Sequence, residues 1–297
     1  MKDISFDFAR SAAQLKELER HECCEGEVRF LTFPSQALGL PTKLGLFLPR
    51  AALEGKKVPV VYALAGLTCT QETFLIKANA VRYAAEHGLA LVTPDTSPRG
   101  AQVAAEDEAY DLGTGAGFYV DATAQPWAAH YRMWSYVGQE LPGVLEAAFP
   151  LDGDRCGIMG HSMGGMGALA FGLRNPRKWK TVSAFAPICA PARVPWGQKV
   201  TETYFGGDEA QWRHYDPCLL LTEGYRTAGK ILVDQGLKDE FLPILCPDLL
   251  EQAAREAGQP LELRRHKLYD HSYWFVQSFI ASQILHHARG LTPQPGG

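Results

Sequence analysis

Residues 58–63 are apolar at every position and rich in β-branched side chains, so a strand formed there must be covered on both faces. Such a strand belongs inside a sheet between two layers of helix, and the rest of the chain supplies both. Further apolar strand runs fall at 89–93, 156–159, 182–185 and 231–234, with a more mixed one at 261–266. Helical periodicity lies between and beyond them, over 74–87, 133–149 (in spite of Pro142), 165–175, 249–257 and 273–287. Two earlier strands, 28–34 and 44–49, flank the turn-forming Gly39, Leu40 and Pro41. Strand alternating with helix predicts an α/β fold: a mostly parallel central sheet with helices on both faces. No linker or repeat divides residues 1–297, which read as one domain with a frayed tail at 291–297.

One turn in this pattern carries chemistry. Gly160, His161, Ser162, Met163 and Gly164 form a G-x-S-x-G run directly after the strand at 156–159 and before the small-residue helix at 165–175. A sharp strand-to-helix turn holds such a serine strained, with its hydroxyl exposed at the sheet edge. The glycines are required where any Cβ would meet neighbouring backbone. The serine also stands at a helix N-terminus, where free N–H groups favour a developing anion. Ser162 is therefore the candidate nucleophile.

A serine hydroxyl needs a base, and an imidazole is the usual one. In the chain order of such folds the acid follows a later strand and the histidine sits on a late loop. Five histidines follow Ser162: His214, His266, His271, His286 and His287. His286 and His287 fall at the C-terminal end of the last helix, where a cation is favourable for structural reasons alone. His266 belongs to the strand at 261–266, and His214 precedes any acidic strand end. His271, in the loop between the last strand and the last helix, is the candidate base. For the acid, Asp234 ends its strand, whereas Asp239 lies on the loop beyond Gly236 and reaches over the sheet edge. Asp239 is preferred, to hold the imidazole tautomer and stabilise the imidazolium. The oxyanion needs two backbone donors: Met163 N–H, directly after the nucleophile, and Leu67 N–H, in the loop after the strand at 58–63.

Composition excludes other classes. Net charge is −4 with no block of like charge, which argues against a nucleic-acid partner. Arg264 and Arg265 are the densest basic spot and read as the solvated end of a strand. The N-terminal region has no apolar signal core, and no stretch of about 18 apolar residues occurs, so export and membrane spanning are not expected. Seven cysteines without a C-x-x-C pair suggest reduced thiols, a reducing compartment and no metal site.

Several blocks go beyond a generic hydrolase: GLTCT at 66–70, PDTSPRG at 94–100, GTGAGFYVDAT at 113–123, GHSMGG at 160–165, FAPIC at 185–189, PWG at 195–197 and DHSY at 270–273. Through them the chain resembles the S-formylglutathione hydrolase (esterase D) family of the α/β-hydrolase superfamily, from about residue 24 to 291. Residues 1–22 lie outside these blocks, and Ala65 stands where that family leads one to expect serine. The resemblance implies a cytoplasmic homodimer that needs no cofactor and hydrolyses S-formylglutathione to glutathione and formate. It places the nucleophile on Ser162, the base on His271, the acid on Asp239 and the oxyanion donors on Leu67 and Met163. A general short-chain carboxylesterase on the same triad is the alternative. Two further residues are expected at the substrate pocket: Trp196 as a wall limiting acyl length, and Cys69 as a thiol beside the site without a chemical role.

Overall fold

The computed structural model describes residues 5–292. Nine strands form one sheet: β1 Lys16–Cys23, β2 Gly26–Ser35, β3 Leu40–Leu48, β4 Val58–Leu64, β5 Ala90–Pro94, β6 Leu151–His161, β7 Trp179–Phe185, β8 Ile231–Gly236 and β9 Leu261–His266. Their order across the sheet is β1-β2-β3-β5-β4-β6-β7-β8-β9. From β5 to β9 all neighbours run parallel, while β1, β2 and β3 pair antiparallel and β3 joins β5 antiparallel. Gly39, with φ +63°, closes the turn between β2 and β3, the left-handed geometry that glycine adopts without steric cost. Every residue of β4 is buried, as its unbroken apolar run requires.

The outer strands are polar for a reason. In β1, Lys16 to Glu22 are all exposed and mostly charged, a composition that discourages further strand addition at an open edge. The same charges hid β1 from apolar-pattern reading. The other edge, β9, carries the basic pair; Arg265 is exposed there as expected, while Arg264 is drawn inward. Arg264 reaches the fully buried Asp234, and Arg265 pairs with Asp248 and Glu251.

Three helical expectations change. Residues 74–87 form two helices, Gln71–Lys77 and Ala80–Glu86, broken where Asn79 turns to φ +57°. Residues 133–149 contain Met133–Ser135, a π turn at Tyr136–Glu140, and Leu141–Ala148, with Pro142 harmlessly in the first turn of the last piece. The stretch between β7 and β8 holds the helices Pro195–Tyr204 and Pro217–Thr222, neither evident from periodicity. The last helix, Tyr273–Leu291, ends on a buried Leu291, so the tail begins later than expected; 293–297 lie outside the described residues. His287 is not a surface cation. It is buried, bonded to Thr181 Oγ1 at 2.6 Å and Ser183 Oγ at 2.8 Å, and burial drives its pKa well below the ordinary value. Among the described residues, no helix is long and apolar enough to cross a membrane.

Candidate active site

The C-terminal ends of the parallel strands share one edge of the sheet, and the connections leaving it build the site: those after β4, β6, β8 and β9 carry Leu67, Ser162, Asp239 and His271, and those after β5 and β7 add Tyr110 and Trp196. At the end of β6 the chain turns through Ser162, at φ +57° and ψ −119°, into the helix Met163–Arg174. Only glycine fits on either side. A Cβ on Gly160 would lie 2.2 Å from Gly164 O, and one on Gly164 would lie 2.1 Å from Leu64 O. Ser162 itself is bonded to the neighbouring strand's end. Its N–H donates to Phe185 O at 2.9 Å, and its carbonyl accepts from Met166 N (3.0 Å) and Ile188 N (3.3 Å). A non-glycine residue at positive φ costs about 1–3 kcal/mol, and this backbone network holds it there.

His271 and Asp239 come together as the loop reading requires. Nδ1 of His271 lies 2.6 Å from Asp239 Oδ2. The Asp239 carboxylate is buried and otherwise satisfied: Oδ1 accepts from Phe241 N at 2.8 Å, and Oδ2 from Gln235 Nε2 at 3.1 Å. The competing carboxylate, Asp234, faces elsewhere. It receives Arg264 Nε and Nη2 at 2.7 and 2.5 Å, His266 Nε2 at 2.7 Å and Gln283 Nε2 at 2.7 Å. Asp234 is a buried structural anion, and one carboxylate serves each histidine.

Ser162 and His271 line a cavity of about 260 Å³ together with Gly66, Leu67, Thr68, Cys69, Tyr110, His161, Trp196, Phe241 and Tyr273. Leu67, Cys69 and Trp196 are therefore all placed on its wall. Neither the Leu67 amide nor the Met163 amide donates to an acceptor among the described residues, which leaves both N–H groups available beside the serine. Trp196 is almost fully buried, its indole N–H 3.5 Å from Tyr110 Oη and its ring 5.4 Å from that of Phe241. Burial raises the pKa of the Cys69 thiol, so it is held as the neutral, less reactive form. The carbonyl of Ala65 accepts from Tyr119 Oη at 2.9 Å, so the backbone at that position is engaged without a hydroxyl side chain.

Sequence reading missed the residues that pack on the imidazole. The His161 ring lies 4.6 Å from that of His271 and the Phe241 ring 5.0 Å from it, at interplanar angles of 42° and 77°. His161 is buried with neither ring nitrogen hydrogen-bonded, and burial, aided by the charge of His271, lowers its pKa well below the usual value. It is a neutral wall without the carboxylate partner that His271 has. The only sequence signal was proximity: His161 adjoins Ser162, and Phe241 follows Asp239 by two.

Residues 35–286 match the Esterase family model, described as "Putative esterase". The chain is 51% identical over 258 residues to an S-formylglutathione hydrolase of Paracoccus denitrificans, covering 86% of this chain and 91% of that one. It is 45% identical over 280 residues to the S-formylglutathione hydrolase of Rattus norvegicus, covering 94% and 99%. A solved S-formylglutathione hydrolase from Agrobacterium tumefaciens superposes with a TM-score of 0.91 at 41% identity, over 93% of this chain and all of that one. With that likeness extending along nearly the whole chain, over an α/β-hydrolase fold, the chain belongs to the S-formylglutathione hydrolase family of esterases.

Proposed function

We propose that this chain is a serine thioesterase that hydrolyses S-formylglutathione to glutathione and formate, a step of formaldehyde detoxification. The observation that carries the proposal is the cavity that places Ser162 and His271 together, with Asp239 on the far nitrogen of that imidazole. Ser162 Oγ attacks the thioester carbonyl carbon as His271 Nε2 takes its proton, and the amides of Leu67 and Met163 receive the oxyanion. Collapse breaks the C–S bond, and the proton on His271 passes to the departing thiolate. Water, deprotonated by the same imidazole, then attacks the formyl-enzyme; the C–Oγ bond breaks, His271 returns the proton to Ser162 Oγ, and formate leaves. Asp239 stays ionised throughout and fixes the tautomer.

At about 260 Å³ the cavity lies below the ~300–1,000 Å³ of sites that enclose drug-sized ligands. It suits a short acyl group, with the tripeptide extending beyond its mouth. The general short-chain carboxylesterase is separated by measuring kcat/KM for S-formylglutathione against p-nitrophenyl butyrate. A ratio favouring the butyrate ester refutes the thioesterase reading. The reading extends to a homodimer in the cytoplasm. Seven free thiols fit a reducing compartment. Trp274 and Ile76, 76% and 65% exposed, stand on helices joined by Gln277 Nε2 donating to Lys77 O at 2.7 Å, an apolar face that a second copy would cover. Sedimentation of the purified protein as a monomer would refute the dimer.

A further inference from the structure

The loop after β4 that carries Leu67 is strained. Thr68, a β-branched residue, sits at φ +65°, where such side chains are rarely found. A conformation of that kind persists only if its surroundings impose it. One restraint is the Thr68 N–H, which donates to Gly115 O at 2.9 Å. The other acts on the next residue: Cys69 O accepts from Thr96 Oγ1 at 2.5 Å and from Arg99 Nη2 at 3.0 Å.

Arg99 is in turn held rigidly. Its Nε and Nη2 each lie 2.8 Å from Asp95, on Oδ2 and Oδ1 respectively, and Asp95 Oδ1 also accepts from Thr96 N at 2.7 Å. The Asp95 side chain is 4% exposed, so the pair is anchored in the protein with the Arg99 side chain 38% exposed. Asp95 immediately follows β5, the parallel neighbour of β4, which is why the two loops meet. Arg99 does not line the Ser162 cavity. It opens on a separate cleft of about 370 Å³ shared with Lys43, Thr70, Gln71 and Glu72.

We propose that Arg99 and Thr96 are positioning residues: by clamping the Cys69 carbonyl they set the Leu67 amide at the geometry an oxyanion requires. The inference rests on Leu67 being an oxyanion donor in the thioesterase proposed above. Lysine does not reproduce the clamp, because the guanidinium fork bonds both carboxylate oxygens and the carbonyl at once. Since the interaction matters chiefly when charge develops on the substrate oxygen, its loss falls on kcat rather than KM.

Three variants test this, assayed on p-nitrophenyl acetate and on S-formylglutathione. Thr96→Val removes one bond and no charge. Asp95→Asn with Arg99→Gln removes both charges together, avoiding an unpaired buried carboxylate. Arg99→Ala leaves room for added guanidinium in the open cleft. The clamp predicts kcat reduced about tenfold to a hundredfold in each, a fraction of the ~10²–10³ lost with a whole oxyanion donor, with KM within about twofold. Millimolar guanidinium should restore Arg99→Ala saturably while leaving wild type unchanged. Wild-type kcat in Thr96→Val and in the double variant, or a loss confined to KM, overturns the clamp. So does Arg99→Ala that folds and shows no guanidinium rescue. Failure of wild type on S-formylglutathione with turnover of p-nitrophenyl acetate refutes the substrate assignment instead and leaves the clamp measurable on the ester.

Discussion

The two carboxylates of this region, Asp234 within β8 and Asp239 on the loop beyond it, make opposite predictions, and the comparison tests the site most directly. Asp239→Asn keeps the size of the side chain but presents an amide to His271 Nδ1, now 2.6 Å from Oδ2. The amide favours the wrong imidazole tautomer, a change worth about 10⁴ in kcat, or roughly 5.5 kcal/mol at 1.36 kcal/mol per decade. Because Phe241 N still finds an oxygen acceptor, the fold should tolerate the change. Asp234→Asn should do the reverse. It weakens a fully buried carboxylate bonded to Arg264, His266 and Gln283. Breaking a buried pair costs about 3–5 kcal/mol, but Arg264 is 28% exposed and solvent compensates part, leaving roughly 2–3 kcal/mol. For a chain of this size that lowers Tm by roughly 3–5 °C, with kcat within about threefold of wild type at 20 °C. The assay is kcat on p-nitrophenyl acetate beside a thermal melt of each variant. If Asp234→Asn loses the greater share of kcat, the assignment of Asp239 as the acid is wrong.

Further expectations follow from other parts of the structure. Trp196→Ala should raise the butyryl-to-acetyl ratio of kcat/KM severalfold by opening the cavity wall, and an unchanged ratio would make Trp196 ordinary core. Cys69, with its thiol held neutral by burial, should react with maleimide more slowly than exposed Cys24, and inactivation should track the slower modification. If Cys69→Ser is inactivated as fast as wild type, another thiol is responsible. His287, buried and neutral, has a folded pKa far below the ~6.5 of the unfolded chain. Its contribution is complete above pH 6.5 and is lost as the unfolded state gains a proton below that pH, by about 1.4 kcal/mol per unit. Asp216, pushed up to about 6 by burial, acts in the opposite sense below that pH. The measurement is therefore the change in urea-unfolding free energy with pH, from pH 6 to 5, in wild type against His287→Asn; equal changes would mean His287 is charged in the fold.

What the sequence made legible was whatever local chemistry dictates. The buried strands β4 and β5 announce themselves because both faces are covered and their runs are almost wholly apolar, with the buried Thr93 hydroxyl of β5 satisfied by Gln71 O. The turn at Ser162 is legible because its glycines frame the serine within five residues, although only the Gly160 clash is local and Gly164 answers to Leu64 on β4. What stayed hidden depends on distant partners. Arg264 looks like a solvated cation until β8 brings Asp234 alongside, and His287 looks like a helix-end charge until β7 supplies two hydroxyls. The break at Asn79 has no glycine or proline to mark it. The aromatic packing of His161 and Phe241 on His271 joins the end of β6 to two loops that are remote from it in sequence, so no periodicity could report it.

The bonds that hold Ser162 have a consequence for how this protein fails. Its amide is tied to the end of β7 and its carbonyl to Ile188 beyond that strand, in the middle of the sheet rather than on a loose surface loop. Local opening of the Ser162 turn would have to strip hydrogen bonds from a central strand, which is part of the most stable cooperative unit of such a fold. The Ser162 amide should therefore exchange with solvent deuterium only as fast as the β6 and β7 amides do. Loss of catalytic competence on heating should then coincide with melting of the sheet and not precede it.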